Sequence, residues 1–311
     1  MWVQKLFVSR NKLKLGVKVW VIFCTLFVCV VVACASENQG AYTKQVGNAT
    51  INWFNYTLTS AGKGALPQME MKWDLAEKIA IRNALIKSRY NLLQAIRKIR
   101  IHKDLFLDQR LRNNADLKEN ILGEIHNSIL LKRDLLNNKK IQVLSQISLD
   151  RELKKQIVPS GVWYAQGEAF SDSDKGGTRD KDQKSEYTGI IVDARNISAE
   201  PALIFRLVDK EDSILYGPKI VNRHVAYRDG MAIYVQNKTK ALESKRIGSN
   251  PLLIRAIDIV KGAACDLVLP SGKAAQLRAI NKNSQILSRA RVAIVLSAKD
   301  NEKGLVEYNI D

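Results

Sequence analysis

The segment at residues 69–101, MEMKWDLAEKIAIRNALIKSRYNLLQAIRKIRI, decides the fold that we expect for this chain. Small and apolar residues recur along it at steps of three and four, which is the period of one helix face. These residues are Trp73, Ala76, Ala80, Ala84, Ser88, Leu92, Ala95 or Ile96, and Ile99. The segment therefore predicts one long amphipathic helix that runs into a strand, with a centre small enough for a sheet or another helix to approach closely.

The residues around this helix predict an α+β domain in which the helix lies across a small sheet. Residues 49–60 alternate β-branched or aromatic residues with polar ones and indicate a strand or hairpin. Residues 61–67, AGKGALP, lack the spacing of a Walker phosphate loop and are interpreted as a plain turn. The later elements are a strand at 100–103, a weaker helical region at 105–127, and a hairpin of 129–136 and 140–149 about Asn137 and Asn138.

The chain then divides into two predicted domains. Apolar residues nearly vanish between 166 and 186, which indicates a linker. Residues 187–311 predict a second, mostly β, α/β-type domain that closes with a helix at 273–288, capped by Ser271, and a strand. Its predicted strands are 187–193, 202–208, 213–216, 230–235, 252–260, 266–269 and 291–296.

The N-terminus predicts export. Five cations precede an uncharged run at residues 19–35, as in a signal peptide with a basic and then an apolar region. We therefore expect a signal peptide at 1–35 and the first folded domain at 36–165. Cys34 follows Val31-Val32-Ala33 as in a lipobox and is a candidate for lipidation, but cleavage before Ser36 fits equally well. A retained anchor is a third alternative, although the run is shorter than the ~20 residues that a spanning helix needs.

The cysteines and the charge limit the chemistry further. Three of the four cysteines lie in the leader, so we expect no intrachain disulfide and a small buried residue at Cys265. The 49 Lys plus Arg residues against 31 Asp plus Glu give a net charge of +18. Such a basic chain suits an acidic protein, an anionic membrane surface or a nucleic acid.

No motif for catalysis or for a cofactor is present. The three histidines share no metal-ligand spacing, no serine lies in a GxSxG elbow, and no glycine-rich dinucleotide loop follows a strand. We therefore predict no catalytic, cofactor-binding or metal-binding residue. Asp193 and Arg195, at a strand end, are the best polar candidates, with Glu200 and Asp209 as further members. A buried Asp–Arg pair that fixes a loop is the alternative that we favour.

The outer face of the long helix is strongly basic. Its cations are Lys72, Lys78, Arg82, Lys87, Arg89, Arg97 and Lys98. Tyr90 is the only aromatic residue near them, whereas single-stranded nucleic acid is usually bound on interleaved aromatics, so we expect no nucleic-acid partner. The face would instead lie against anionic envelope lipid or polymer, or form a protein partner surface, with Arg82, Arg89 and Arg97 as the positions to test.

Several short segments resemble a known family. They are GNATINW at 47–53, TSAGKG at 59–64, Pro67 and YNLLQAI at 90–96. Together they resemble the exported lipoprotein family that includes the flagellar basal-disk lipoprotein FlgP and the N-terminal domain of the flagellar assembly protein FlgT. The resemblance implies a strand pair, a glycine-rich turn, a packed helix and export. The second domain, with YTGIIVDARN at 187–196, is similar to the C-terminal half of exported proteins that carry the same N-terminal unit.

The leader, the missing catalytic motif and the resemblance together predict a non-enzymatic bacterial cell-envelope protein. We expect it in the periplasm or as an outer-membrane lipoprotein, acting by assembly with envelope or flagellar proteins or with itself. A flagella-associated ring is the most concrete version. Two alternatives stay open: an envelope enzyme using the polar site around Asp193 and Arg195, and a module that binds anionic envelope polymer through the basic helix.

Overall fold

The computed structural model describes residues 39–67, 71–136, 139–164 and 186–298. The predicted signal peptide, Cys34, Asn137, Asn138 and residues 166–185 of the predicted linker lie outside the described residues. The described residues from Ala41 onward belong to one compact unit. Within them, no helix is both long and apolar enough to cross a membrane.

The N-terminal half is a five-stranded antiparallel sheet with one long helix, α1 (Trp73–Arg97), laid across it. The strands are β1 (Thr43–Val46), β2 (Ala49–Asn52), β3 (Thr57–Ala65), β6 (Ile129–Leu136) and β7 (Lys140–Ser148), and their order is β1-β2-β3-β7-β6. The predicted helix and the predicted pairing of β6 with β7 are confirmed, and residues 49–60, expected as a strand or hairpin, contribute to the hairpin of β2 and β3. Trp73 is an exception, because it begins the helix and its side chain is exposed rather than packed on the sheet.

The short connecting elements complete this half. They are β4 (Arg100–His102), β5 (Leu105–Phe106), α2 (Leu107–Asn113), α3 (Ala115–His126), α4 (Arg151–Ile157) and α5 (Gly161–Tyr164). The predicted strand after α1 is confirmed as β4, which pairs with β5. The predicted helical region divides into α2 and α3 at Asn114, whose side chain accepts a hydrogen bond from the backbone of Leu117 and so starts the second helix.

The predicted turn at residues 61–67 is wrong over its first part, because β3 continues to Ala65. Gly62 and Gly64 lie directly under α1, where a methyl group on either would come within 2.0 and 1.9 Å of the carbonyl oxygens of Ala84 and Ala80. The glycines therefore let the helix touch the strand backbone rather than bend the chain. Ser60 and Ser88 strengthen this contact, since each hydroxyl donates to the other residue's carbonyl oxygen, at 2.9 and 3.0 Å.

The C-terminal half contains two four-stranded sheets. Its elements are β8 (Gly189–Asp193), β9 (Leu207–Val208), β10 (Ile214–Tyr216), α6 (Arg223–Asp229), β11 (Ile233–Val235), α7 (Lys238–Leu242), β12 (Pro251–Arg255), β13 (Asp258–Val260), β14 (Ala263–Val268), α8 (Ser271–Asn283) and β15 (Val292–Val295). The first sheet is parallel, in the order β11-β15-β8-β12, and the second is mixed, in the order β10-β9-β14-β13. The α+β class, with a β-rich second part, is confirmed.

Several local predictions for this half are wrong, and the closing helix ends at Asn283 rather than at residue 288. The single strand expected at 252–260 is two strands in different sheets: the amide of Ala256 still donates to Asp193 of the parallel sheet, while that of Ile257 donates to Val268 of the mixed sheet. Ser271 is not a cap, because Pro270 precedes the helix and its carbonyl accepts the amide of Ala274. Residues 202–206 form no strand, although their side chains are largely buried.

The two halves share a hydrophobic core and several hydrogen bonds. The hydroxyl of Tyr56 donates to the carbonyl oxygen of Ala232 at 2.5 Å. The amide of Leu203 donates to the carbonyl oxygen of Arg100 at 3.0 Å. The guanidinium of Arg100 also pairs with Glu200 at 2.8 Å. The two predicted domains therefore lie in one compact unit.

We expect Gly62→Ala to destabilise the protein by about 3 kcal/mol or more, because a methyl group at that position has no room beside the backbone of α1. Gly123→Ala is the matched control, since Gly123 lies in α3 with open space at its Cβ position. The control should stabilise the protein by about 0.5–1 kcal/mol. Urea unfolding followed by circular dichroism measures both, and equal stabilities of the two variants would contradict the close contact.

Candidate functional site

Asp193 ends β8 and is held by two cations. The guanidinium of Arg195 donates from Nε to Oδ1 at 2.9 Å and from Nη2 to Oδ2 at 2.7 Å. The amine of Lys238, at the start of α7, lies 3.5 Å from Oδ2. The hydrogen bonds from Arg195 lower the pKa of Asp193 to about 2. An ionised and fully engaged carboxylate is a poor proton donor or acceptor near neutral pH.

Glu200 and Asp209 pair elsewhere and do not join Asp193. The carboxylate of Glu200 bonds Arg100, and that of Asp209 bonds Arg278 while accepting the amide of Ser213 at 2.8 Å. Each acidic group therefore fixes a separate connection between segments. Asp193 and Arg195 themselves form the close pair that the sequence suggested, but the pair is not buried, because the side chain of Arg195 is 42% exposed.

Asp193→Asn should lower the free energy of unfolding by about 1–2 kcal/mol at pH 7, because it removes an ion pair that favours the folded state. The folded-state pKa lies below the ordinary value, so this stabilisation is present above about pH 4 and is lost as the pH falls toward 2. The difference between wild type and variant, measured by urea unfolding at several pH values, should shrink over that range.

Asp258→Asn is the control for this experiment, since Asp258 is exposed and forms no ion pair with any described residue. A pH-independent difference at Asp193 would contradict the assignment. An Asp193→Asn protein that folds with unchanged stability but loses its biological function would favour the enzyme alternative instead.

The three arginines expected to form a partner surface on α1 have different environments. Arg82 is exposed, whereas Arg89 is half-buried and its Nε has no hydrogen-bond partner among the described residues. Arg97 is half-buried and pairs with Asp108 of α2. Arg97 therefore ties two helices together, so Arg82 and the neighbouring lysines carry the free positive charge of this face.

The remaining residue expectations concern Cys265 and metal sites. Cys265 is buried, as expected, and burial raises the pKa of its thiol to about 12, so the group is protonated at neutral pH. Across the described ranges, no three His, Cys, Asp or Glu side chains are grouped so that they could hold a metal ion.

The sequence reasoning missed an apolar sheet edge. Strand β6 is the last strand of its sheet and pairs only with β7 within the described part of the chain. Four of its large apolar side chains are exposed to between 45% and 64%: Ile129, Leu130, Leu131 and Leu135. The three consecutive apolar residues at 129–131 were a signal for it, because a half-buried strand normally alternates with polar residues.

The register shows which side of β6 is uncovered. Opposite residues of an antiparallel pair lie on the same face, so Leu135, opposite Ile141, and Arg133, opposite Val143, face the α1 side. Arg133 reaches Glu77 of α1 at 3.4 Å. An apolar groove of about 490 Å³ lies between the end of β6 and the start of α1, and it is lined mainly by Leu66, Pro67, Met71, Trp73, Ala76, Leu135 and Leu136.

The opposite edge of the sheet is different. Strand β1 has four residues, TKQV, whose side chains are exposed or half-buried and mostly polar. Short polar edges resist pairing with other chains, whereas long apolar edges favour it. The β6 edge is therefore longer and more apolar than the β1 edge, although it also carries Lys132, Arg133 and Asp134 and an irregularity between Leu130 and Lys132.

Part of the C-terminal half is similar to a known family. Residues 189–298 match the family model of the second domain of Treponema pallidum Tp0624. The match begins at the first residue of β8 and extends past β15, so it spans both sheets of that half. A search of curated proteins finds no match to this chain.

Proposed function

We propose that this chain is a non-enzymatic bacterial cell-envelope protein that acts by protein–protein assembly, and that the β6 edge is its assembly surface. The observation that carries the proposal is the eight-residue edge strand, five of whose residues are apolar, beside an apolar groove. Main-chain groups of such an edge bind a further strand, and the adjacent side chains give specificity.

The occupant that fits best is β6 of a second copy. In antiparallel pairing centred on Arg133, Lys132 of each copy lies opposite Asp134 of the other, and Leu135 meets Leu131, which lies at the irregularity of β6 between Leu130 and Lys132. The two-fold axis repeats each pair, so the contact contains two opposite-charge pairs and two leucine pairs. Registers centred on Lys132 or Asp134 lose both opposite-charge pairs between copies and keep only the Lys132–Asp134 ion pair within each chain, at 2.9 Å, so they are less favourable.

Arg133 is the one residue that meets its own copy in this arrangement. Its charge is offset within each chain by Glu77, 3.4 Å away. The central contact thus joins two arginines and two glutamates and is neutral. The two five-stranded sheets would become one sheet of ten strands, with both long helices on the same side.

We expect the mature chain, purified from the cell envelope, to be dimeric. Lys132→Glu should raise the dimer dissociation constant about tenfold, because two favourable pairs become repulsive at up to about 1 kcal/mol each. The double variant Lys132→Glu/Asp134→Lys restores both pairs and should bring the constant back to near the wild-type value. Sedimentation velocity over a range of protein concentrations measures all three.

Leu135→Asp should give a monomer, since it places a charge in the apolar contact. Leu242→Asp is its control, because Leu242 is also about half exposed but lies in α7, away from β6. Two results would show that β6 does not pair in this way: a monomeric wild type, or a double variant whose dimer dissociation constant is no lower than that of Lys132→Glu.

A flagella-associated ring in the outer membrane or periplasm is the most concrete form of the proposal. It is supported by the family resemblance of residues 47–96 and requires a second, head-to-tail surface, because a two-fold contact alone closes after two copies. The exposed cations and apolar side chains of α1 offer one. Deleting the gene in the native bacterium should impair motility or envelope integrity, and no change in either would count against this role.

The anchoring mode belongs to the same proposal. The mass of the N-terminal peptide of the mature protein distinguishes a lipidated Cys34 from a free Ser36 and from an uncleaved leader. A lipidated Cys34 would support an outer-membrane lipoprotein, and a free Ser36 would support a soluble periplasmic protein.

Binding of anionic envelope polymer to α1 is a second candidate function. Lys72, Lys78, Arg82, Lys87 and Lys98 are exposed and form no ion pair within the described ranges. We expect affinity for an anionic polysaccharide to fall steeply with salt, and more strongly in wild type than in Arg82→Gln. A salt-independent interaction, or one unchanged by the substitution, would argue against this function.

A further inference from the structure

A basic cleft of about 890 Å³ lies where the turn between β2 and β3 meets α4, α6 and the segment before β15. Two carboxylates and six cations line it. The cations are Arg151, Lys154, Arg228, Arg246, Arg289 and Arg291. None of them belongs to α1 or β6, so the cleft is separate from the basic face of α1 and from the β6 edge.

The two carboxylates of the cleft are already engaged. Asp150 starts α4, and its Oδ1 accepts the amide of Leu153 at 2.8 Å. Asp229 is held by the guanidinium of Arg228 through two bonds of 3.0 and 2.7 Å. With both acids counted, the lining carries four more positive than negative charges.

Lys154 and Arg246 are held in the cleft by neutral groups. Lys154 is only 4% exposed, its amine donates to the carbonyl oxygen of Arg228 at 3.1 Å, and it lies 4.7 Å from the centre of the Tyr56 ring. The guanidinium of Arg246 donates to three carbonyl oxygens, those of Asp229, Gly230 and Ala290. These contacts satisfy hydrogen bonds but do not neutralise the charge, and burial lowers the pKa of the Lys154 amine to about 8.

Three arginines of the cleft have hydrogen-bond donors that are not used by the described residues. The side chain of Arg289 is exposed and has no hydrogen-bond partner in the described part of the chain. Arg291 uses one donor on the carbonyl oxygen of Thr188, at 3.2 Å. Arg151 is about half exposed: its Nη2 lies 3.4 Å from Nδ1 of His224 in α6, and its Nε lies 3.8 Å from the carboxylate of Glu152. A guanidinium presents five donors in a fixed fork, so most of these groups remain free for a ligand.

We propose that this cleft binds a ligand that carries two or more phosphate groups. Arginine forks match phosphate oxygens geometrically, and a concave site lined by one sign of charge concentrates ions of the opposite sign. The excess of four positive charges calls for more negative charge than a single phosphate brings, and the cleft is wide enough for a larger molecule. Bound phosphate would also offset the buried charge of Lys154.

Pyrophosphate is the simplest probe of the site. Isothermal titration of the mature chain with sodium pyrophosphate, in metal-free buffer at low salt, should give saturable binding that weakens as salt is added. Arg289→Gln and Arg151→Gln should each raise the dissociation constant about tenfold, because each removes a charged hydrogen-bond donor. Both side chains are exposed, and the contact of Arg151 with His224 is itself at the surface, so the melting temperatures should stay near that of wild type.

Arg255→Gln is the matched control, since Arg255 is exposed, forms no ion pair with a described residue and does not line the cleft. Its affinity for pyrophosphate should equal that of wild type. The proposal is overturned if pyrophosphate does not bind, or if all three variants bind it as wild type does. It is also overturned if sulfate at the same concentration binds as tightly.

Two sources of such a ligand can be separated. Vesicles of phosphatidylethanolamine with 20% cardiolipin, whose headgroup carries two phosphates, test a lipid source. In one outcome, the protein sediments with these vesicles only when the cleft is intact and empty, so that added pyrophosphate and Arg289→Gln each abolish sedimentation. That result supports the proposal with a lipid headgroup as ligand. Pyrophosphate binding without such sedimentation supports it with a soluble ligand.

Discussion

The direct contact between α1 and the backbone of β3 is the constraint on which the N-terminal half depends. Small residues form both sides of this contact: glycines on the strand, and alanines and a serine on the helix. The reciprocal bonds between Ser60 and Ser88 satisfy two hydroxyls that would otherwise be buried without partners. Because the helix axis is held this close, the larger apolar residues toward its C-terminal end, Leu92 and Ile96, reach the shared core.

The same contact determines which part of the sheet the helix leaves uncovered. A helix that lies over β3 and β7 leaves the α1 side of β6 open, and the apolar groove beside Leu135 is the result. Close packing at the centre of the sheet and an exposed apolar edge thus have one geometric cause. An apolar surface is therefore left open at β6, whereas the outer face of α1 is basic.

The shared core has a comparable effect on charge. The turn at residues 53–56 enters the C-terminal half, where Tyr56 bonds Ala232 and packs beside Gly230. Arg246 crosses from its own loop to the carbonyl groups of Gly230 and Ala290, which brings cations from several segments to one cleft. By contrast, the carboxylates of Asp193, Glu200 and Asp209 are each engaged by an arginine. Unbalanced positive charge therefore lies in the cleft as well as on the outer face of α1.

The sequence by itself determined the local elements, since periodicity and small residues are properties of adjacent positions. The extent of α1, its packed face from Ala76 to Ile96, the hairpins and the Asp193–Arg195 pair two residues apart could all be predicted from it. Only the tertiary structure decided that Gly62 serves close packing rather than a turn, and that Glu200 and Asp209 pair elsewhere. It also exposed β6 and gathered cations as far apart in the chain as Arg151 and Arg291, because these depend on which distant segments meet in space.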